Sequence, residues 1–397
     1  MKSVLGNRML LWSLVIPLLS VLLALATAGI LLYSSGVNPI DAYSSMVRAA
    51  LGSPFALSTT VVKALPRLLP AVGIAVALRA GLWNIGAEGQ LYIGSLAATG
   101  TALFGPHLGF PGSAALALVA AMLGGAAWAA IAGALRAVKG ISEVITSLML
   151  VYVAIQLTNY LVEGPWLVPH STFPATSPVP IDARLPNIWP GTMLNAGVFV
   201  AVVVVAASWF VIARTSFGLK IRAIGGNPRA ARVAGLRVNL LIVLVMAVSG
   251  ALAGLAGGVE VLGVRGRLIE GFSAGYGFEA IAIALLGRLN PVGIAGAALL
   301  FGALDAGGAG LQTAAKGAPA AIVPIVEALA VLYLLIGLGI VDRLSRRRQS
   351  SLALEAAGPT DLTEPTDLTE PTDLTEPTDL TEPASEHSEG HEAVSER

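Results

Sequence analysis

The chain has 397 residues and no cysteine; 55% are hydrophobic and only 12% charged, about half the roughly 25% charged share of a soluble domain. A soluble fold of this size could not cover its surface with so few charges. The composition therefore indicates an all-α polytopic membrane protein. It excludes a disulfide-stapled domain, a cysteine metal site and thiol catalysis. The formal net charge of zero is a cancellation. Of 24 acids and 24 bases, 13 acids and one base fall in residues 355–397, which leaves 11 acids and 23 bases for residues 1–354. A body of +12 is joined to a segment of −12.

Ten apolar runs approach the roughly 20 residues that cross about 30 Å of hydrocarbon. They are 9–32, 60–79, 89–105, 113–133, 142–162, 191–213, 239–262, 277–289, 292–310 and 320–341. The first carries an A-x-A signal at Ala26-Thr27-Ala28. Its apolar run exceeds the usual signal-peptide core of about 7–15 residues, so it reads as an uncleaved span. The third and eighth are short or interrupted by glycine and read as broken or re-entrant.

Lys and Arg favour the cytoplasmic side. With ten crossings and a cytoplasmic N-terminus, Arg136 and Lys139, the bases of residues 214–237, and Arg343, Arg346, Arg347 and Arg348 all fall on that side. The Pro-rich stretch 163–190 falls outside. Residues 1–345 read as the transmembrane domain, and residues 346–397 as a disordered, acidic, cytoplasmic tail. In the tail, Pro-Thr-Asp-Leu-Thr-Glu begins at Pro359, Pro365, Pro371 and Pro377. Proline every six residues forbids a continuous helix, and the composition offers nothing to bury.

The basic segment 214–239 contains helix punctuation. Asn227 is a good N-cap, Pro228 suits the first helical position, and Gly235 is a natural stop. Arg229, Ala230, Ala231, Arg232, Val233 and Ala234 fill a short helix too small to stand alone in water. A basic, capped helix between two spans reads as a docking element for a partner.

The segment 78–94 holds Arg79, Trp83, Asn84, Glu88 and Gln90 between apolar runs. Charges in lipid cost about 2.5–3.5 kcal/mol on insertion scales, so these residues face protein, water or the interface. Two readings stand: a broken helix lining a solute path, or an interfacial loop with an Arg79–Glu88 pair. Glu279 and Asp305 are further carboxylates among apolar residues, read as structural groups or, in an ion-coupled transporter, as proton carriers. Residues 287–291 read as a tight cytoplasmic turn. Gly250, Gly254 and Gly258 share one helix face suited to close packing. No phosphate-binding loop is present, so ATP is not bound by that route. His107 and His170 read as isolated. No metal site, cofactor, nucleic-acid site or catalytic constellation is expected.

GLWNIGAEGQ at residues 81–90 closely resembles a hallmark of permease subunits of bacterial ABC importers, in the branched-chain amino acid/simple-sugar group. TSFGLKIRAIGGNPRAARVAGLRV at 215–238 resembles that group's ATPase-contacting loop. SGALAGLAGG at 249–258, GYGFEAIAIALLGRLNPVGI at 275–294 and LLFGAL at 299–304 fit as well. With the Pro-rich outer segment, they are most similar to the nucleoside/simple-sugar branch. The resemblance runs from Val4 to Val341 and excludes the tail.

The resemblance implies a type II importer permease fold working by alternating access in the bacterial plasma (inner) membrane, with both termini cytoplasmic. It implies ABC ATPase subunits, a second permease chain that is often different, and an extracellular or periplasmic substrate-binding protein. The chain itself would be non-catalytic. Asn227 to Gly235 would form the ATPase-coupling helix. Trp83, Asn84, Glu88, Gln90 and Glu279 are the candidates for the translocation path. Pentose, hexose or branched-chain amino acid transport are the alternatives within the class. An ion-coupled secondary transporter is the alternative outside it.

Overall fold

The computed structural model describes residues 19–169 and 173–314, with scattered positions between 324 and 340. These lie in the compact unit Met1–Asp342; the second unit, Arg343–Arg397, lies outside the described residues. So do the acidic repeats, His170, the start of the first expected span and most of the tenth.

Helix α1 (Leu19–Ser34) is followed by α2 (Pro39–Leu51), which the hydropathy reading missed. Its start signals are local: Asn38 accepts a hydrogen bond from the Ile40 N–H, and Pro39 opens the helix. α3 (Pro54–Arg79) begins the same way, with Ser53 accepting from the Ala56 N–H and Pro54 in the first turn. It runs through Pro66 and Pro70, and every residue from Ala64 to Ala77 is buried.

The following helices are α4 (Ala87–Phe104), α5 (Gly112–Lys139), α6 (Glu143–Glu163), α7 (Gly197–Arg214), α8 (Ser216–Gly226) and α9 (Pro228–Val233). Then come α10 (Val238–Glu260), α11 (Tyr276–Leu286) and α12 (Pro291–Ala314). α10 passes into a π-helical turn, Val261–Arg265, and ends at Gly266 with φ +66°. Among the described residues, six helices are long and apolar enough to cross a membrane: α3, α5, α6, α7, α10 with its π turn, and α12. α1 and α11 are shorter apolar helices.

α10 is the hub, packed against α3, α4 and α5. The expected glycine face is present and meets α5. A Cβ at Gly250 or Gly254 would overlap the α5 backbone, and one at Gly258 would press on Ala121. A Cβ at Gly94 of α4 would overlap Gly254 itself. Small residues thus let three helices approach at backbone distance, gaining dispersion contacts where burial against lipid-like surroundings gains little.

This corrects the reading of the third span as broken. α4 is continuous, because Gly89 and Gly94 serve close approach to Val151 and Gly254. The break lies ahead of it, in residues 80–86. α11 is short, with 11 residues, but unbroken.

Residues 173–196 of the Pro-rich segment strap the link between α10 and α11. Thr176 N–H donates to Leu268 O at 2.9 Å, Val179 N–H to Gly266 O at 2.8 Å and Leu185 N–H to Leu262 O at 2.9 Å. The strap is tied to α5 where Ser113 Oγ donates to Asp182 Oδ2 at 2.8 Å. His107 is not isolated: its Nδ1 lies 3.5 Å from the same Asp182 oxygen.

Candidate functional site

α9 is built by its caps. Asn227 Oδ1 accepts from the Arg229 N–H at 2.9 Å and the Ala230 N–H at 3.1 Å. At the exit Gly235 takes φ +82°, and the Leu236 N–H closes onto Ala231 O at 3.0 Å. Left-handed backbone here suits glycine. Ala231 alone of the helix is buried, against Ile224, Val238 and Leu241. Residues 225–230 and 232–235 are exposed, and Val233 is 91% exposed.

The helix is not a free appendage. α8, which the loop reading did not foresee, carries Gly225 in its last turn, where a Cβ would overlap the Arg79 carbonyl. The Arg79 guanidinium donates twice to Leu289 O, at 3.0 and 3.2 Å. Leu289 and Arg288 both hold positive φ, 58° and 54°, in the tight turn between α11 and α12. Two successive side-chain-bearing residues in that region are strained. A line of contacts thus runs from α9 through α8 and the end of α3 to the α11–α12 turn.

Arg79 and Glu88 do not pair. Arg79 is held by a carbonyl, whereas Glu88 Oε2 accepts from the Gly277 N–H at 2.6 Å. The reading of a structural Arg79–Glu88 bridge is therefore corrected. Asn84 and Gln90 form a reciprocal amide pair: Asn84 Nδ2 donates to Gln90 Oε1 at 2.8 Å, and Gln90 Nε2 to Asn84 Oδ1 at 2.9 Å. Asn84 also donates to Ser249 Oγ at 2.8 Å and accepts from the Gly86 N–H at 3.1 Å. Its four hydrogen-bonding positions are filled, as a buried amide requires. Trp83 stands apart from this pair, 46% exposed, with its backbone N–H donating to Glu143 Oε1 at 3.3 Å.

Of the five candidate path residues, Glu279 alone joins a second cluster. Arg67 of α3, nearly fully buried, bridges Glu279 of α11 and Asp305 of α12, the latter at 3.0 Å. Lys63, one turn earlier on α3, reaches Asp305 at 2.9 Å. The Tyr276 ring lies 4.7 Å from the Arg67 guanidinium carbon, a cation–π contact. Glu260 and Arg265 pair at 3.0 Å beside the π turn.

The cluster is charge-balanced, which offsets the cost of placing ions among apolar helices. The sequence reading took Glu279 and Asp305 as scattered, yet the fold brings them to one cation. It overlooked Lys63 and Arg67. The available signal was a pair of bases four apart, hence on one face, inside an apolar helix. Among the described residues no group of His, Asp and Glu could hold a metal.

Comparison with known proteins bears on this arrangement. A sequence-family profile described as "Branched-chain amino acid transport system / permease component" matches residues 56–338. The chain is 38% identical over 362 residues to a glucose ABC transporter permease protein of Haloferax volcanii, covering 87% of this chain and 93% of that one. It is 35% identical over 327 residues to a guanosine ABC transporter permease protein of Bacillus subtilis, covering 81% and 92%. It is 31% identical to the nucleoside ABC transporter permease protein of Lactococcus lactis, covering 80% and 90%. No solved structure matches the chain. A buried hub of small residues, bases on a capped surface helix, and matches spanning four fifths or more of each relative lead to one conclusion: the chain belongs to the branched-chain amino acid transport system permease family.

Proposed function

We propose that the chain is the membrane-spanning, non-catalytic permease subunit of an ATP-driven importer that moves nucleosides or related simple sugars by alternating access. In this reading it has a type II importer fold with ten crossings and sits in the bacterial plasma membrane with both termini cytoplasmic. ATPase chains, a second permease chain and an external binding protein complete the assembly. The similarity to glucose, guanosine and nucleoside permeases supports the solute class.

The observation that carries the reading is α9. A six-residue helix does not persist in water unaided. This one is fixed by Asn227, Gly235 and Ala231, and the rest of its residues are exposed. Such a helix is a rigid tooth for a groove in a partner. The ATPase would press on Asn227 to Gly235, and the contact of Gly225 with Arg79 would pass the displacement toward the α11–α12 turn. Coupling requires the nucleotide to favour one of two arrangements of this line.

The test is ATP-driven uptake into vesicles holding the full complex, competed by guanosine, ribose, glucose and leucine. Competition by guanosine or a sugar fits the proposal. Competition by leucine alone sinks the solute assignment.

A further inference from the structure

We infer that Lys63, Glu279 and Asp305, organised by Arg67, form a station that recognises neighbouring hydroxyl groups on a neutral polyol solute. The inference rests on the proposed function and names a site for its solute.

The first observation is the uneven exposure of one ion-pair network. The Arg67 side chain is 4% exposed, while Lys63, Asp305 and Glu279 keep 33%, 29% and 23% of theirs open. A network serving only to join helices would be sealed on all sides. Here the organising cation is sealed and three of its partners present an edge.

The second observation is where that edge lies. Lys63, Glu279 and Asp305 sit within helices α3, α11 and α12, among apolar residues. Charges turned to hydrocarbon cost several kcal/mol, so an open charged edge faces water or a polar solute. On α11 Glu279 is flanked one turn to either side by the partly exposed Tyr276 and Ala282.

The third observation is chemical. At the open edge one ammonium donor stands with two carboxylate acceptors: Lys63 Nζ lies 2.9 Å from Asp305 Oδ1, Asp305 Oδ2 lies 3.0 Å from the sealed Arg67, and Glu279 pairs with the same Arg67. A hydroxyl both donates and accepts, and two adjacent hydroxyls span one acceptor and one donor. The two cations balance the two anions, so the edge offers no net pull on a charged solute. The chemistry selects a neutral diol, as carried by a ribose or a hexose.

The experiment uses the complete complex in vesicles, with ATPase chains, second permease and binding protein. It compares ATP-driven uptake of guanosine with 2′,3′-dideoxyguanosine, and of glucose with 2-deoxyglucose. Each pair is measured for wild type, Glu279→Gln and Lys63→Gln. The binding protein is common to all, so a change in the hydroxyl-to-deoxy ratio belongs to the permease.

A hydrogen bond to a charged group corresponds to about tenfold or more in affinity. The expected result is a ratio that falls about tenfold in both variants, mainly through a raised KM for the hydroxylated solute. An unchanged ratio in variants that assemble and transport overturns the station. Loss of the permease pair from purified variant complexes, with the ratio intact in what remains, also overturns it and makes the edge a subunit contact. If the wild type carries neither pair in an ATP-dependent manner, the proposed function has failed, which is distinct from a failure of the station alone.

Discussion

The Glu88 carboxylate accepts the Gly277 N–H at 2.6 Å across 189 residues of chain, and Gly277 lies so close to the Glu88 backbone that a Cβ there would overlap it. Ser273 and the Gly275 backbone stand beside the same carboxylate. The contact pins the start of α11 to the start of α4. Glu88→Ala would leave a buried N–H unpaired, at a cost of about 1–3 kcal/mol. Glu88→Gln keeps an acceptor and should retain most of that. Thermal unfolding of purified protein in detergent reads the order wild type, Gln, Ala.

The glycine contacts give a prediction of opposite signs. Gly254→Ala forces a methyl into the α5 backbone and should destabilise by about 1–3 kcal/mol or more, as overpacking does. Gly296→Ala on α12 meets nothing within 4 Å. It should stabilise by about 0.5–1 kcal/mol through the unfolded chain. A pair of melting curves decides it, and equal shifts would contradict the packing account.

How much of this was readable beforehand depended on the range of the interaction. The caps of α9 are contacts between residues two to five apart, so Asn227, Pro228 and Gly235 announced the helix directly. The face shared by Gly250, Gly254 and Gly258 was equally local. The Arg67 bridge was not, since Glu279 on α11 lies 212 residues away and Asp305 on α12 farther still, and pairing across such distances is decided by tertiary packing. Proximity in sequence misled in the other direction. Arg79 and Glu88 are nine apart, yet a turn separates them and each bonds to the α11 region. α2 and α8 went unread because neither is apolar enough to register as a span, although Asn38-Pro39 and Thr215-Ser216 carry start signals.

Arg67 is the keystone of the charge cluster. Arg67→Met would leave Glu279 and Asp305 facing one another with only Lys63 to balance them. Breaking a buried pair costs about 3–5 kcal/mol, and the partial solvation of these carboxylates favours the lower end. Adding Glu279→Gln and Asp305→Asn to Arg67→Met should recover most of the loss. Non-recovery in the triple variant, read by thermal unfolding, would show that the guanidinium matters for packing rather than charge.

The strap makes a pH prediction. The Ser113 hydroxyl bond, and then His107, hold the Asp182 carboxyl below its ordinary value of 3.8. A carboxylate depressed in the folded state stabilises it at pH above the unfolded value, and the contribution fades as pH falls through the folded one. The melting-temperature difference between wild type and Asp182→Asn should therefore shrink as pH falls below about 5. A difference that grows with acid would reverse the assigned sign.

Asn227→Ala removes the acceptor for two N–H groups at the start of α9, worth about 1 kcal/mol of helix stability. Ala231→Pro removes the hydrogen bond from the Ala231 N–H to Asn227 O and breaks the helix outright. Uptake per ATP hydrolysed should fall modestly in the first and be abolished in the second, while both proteins still insert. Wild-type coupling in Ala231→Pro would show that α9 does not transmit the ATPase stroke.

The most direct measurement of the account is solute uptake into vesicles by this chain with and without its ATPase partners. Uptake should require the ATPase chains and ATP and be indifferent to proton or sodium gradients. Uptake driven by an ion gradient with this chain alone would contradict it, and would turn Glu88, Glu279 and Asp305 into ion-carrying groups.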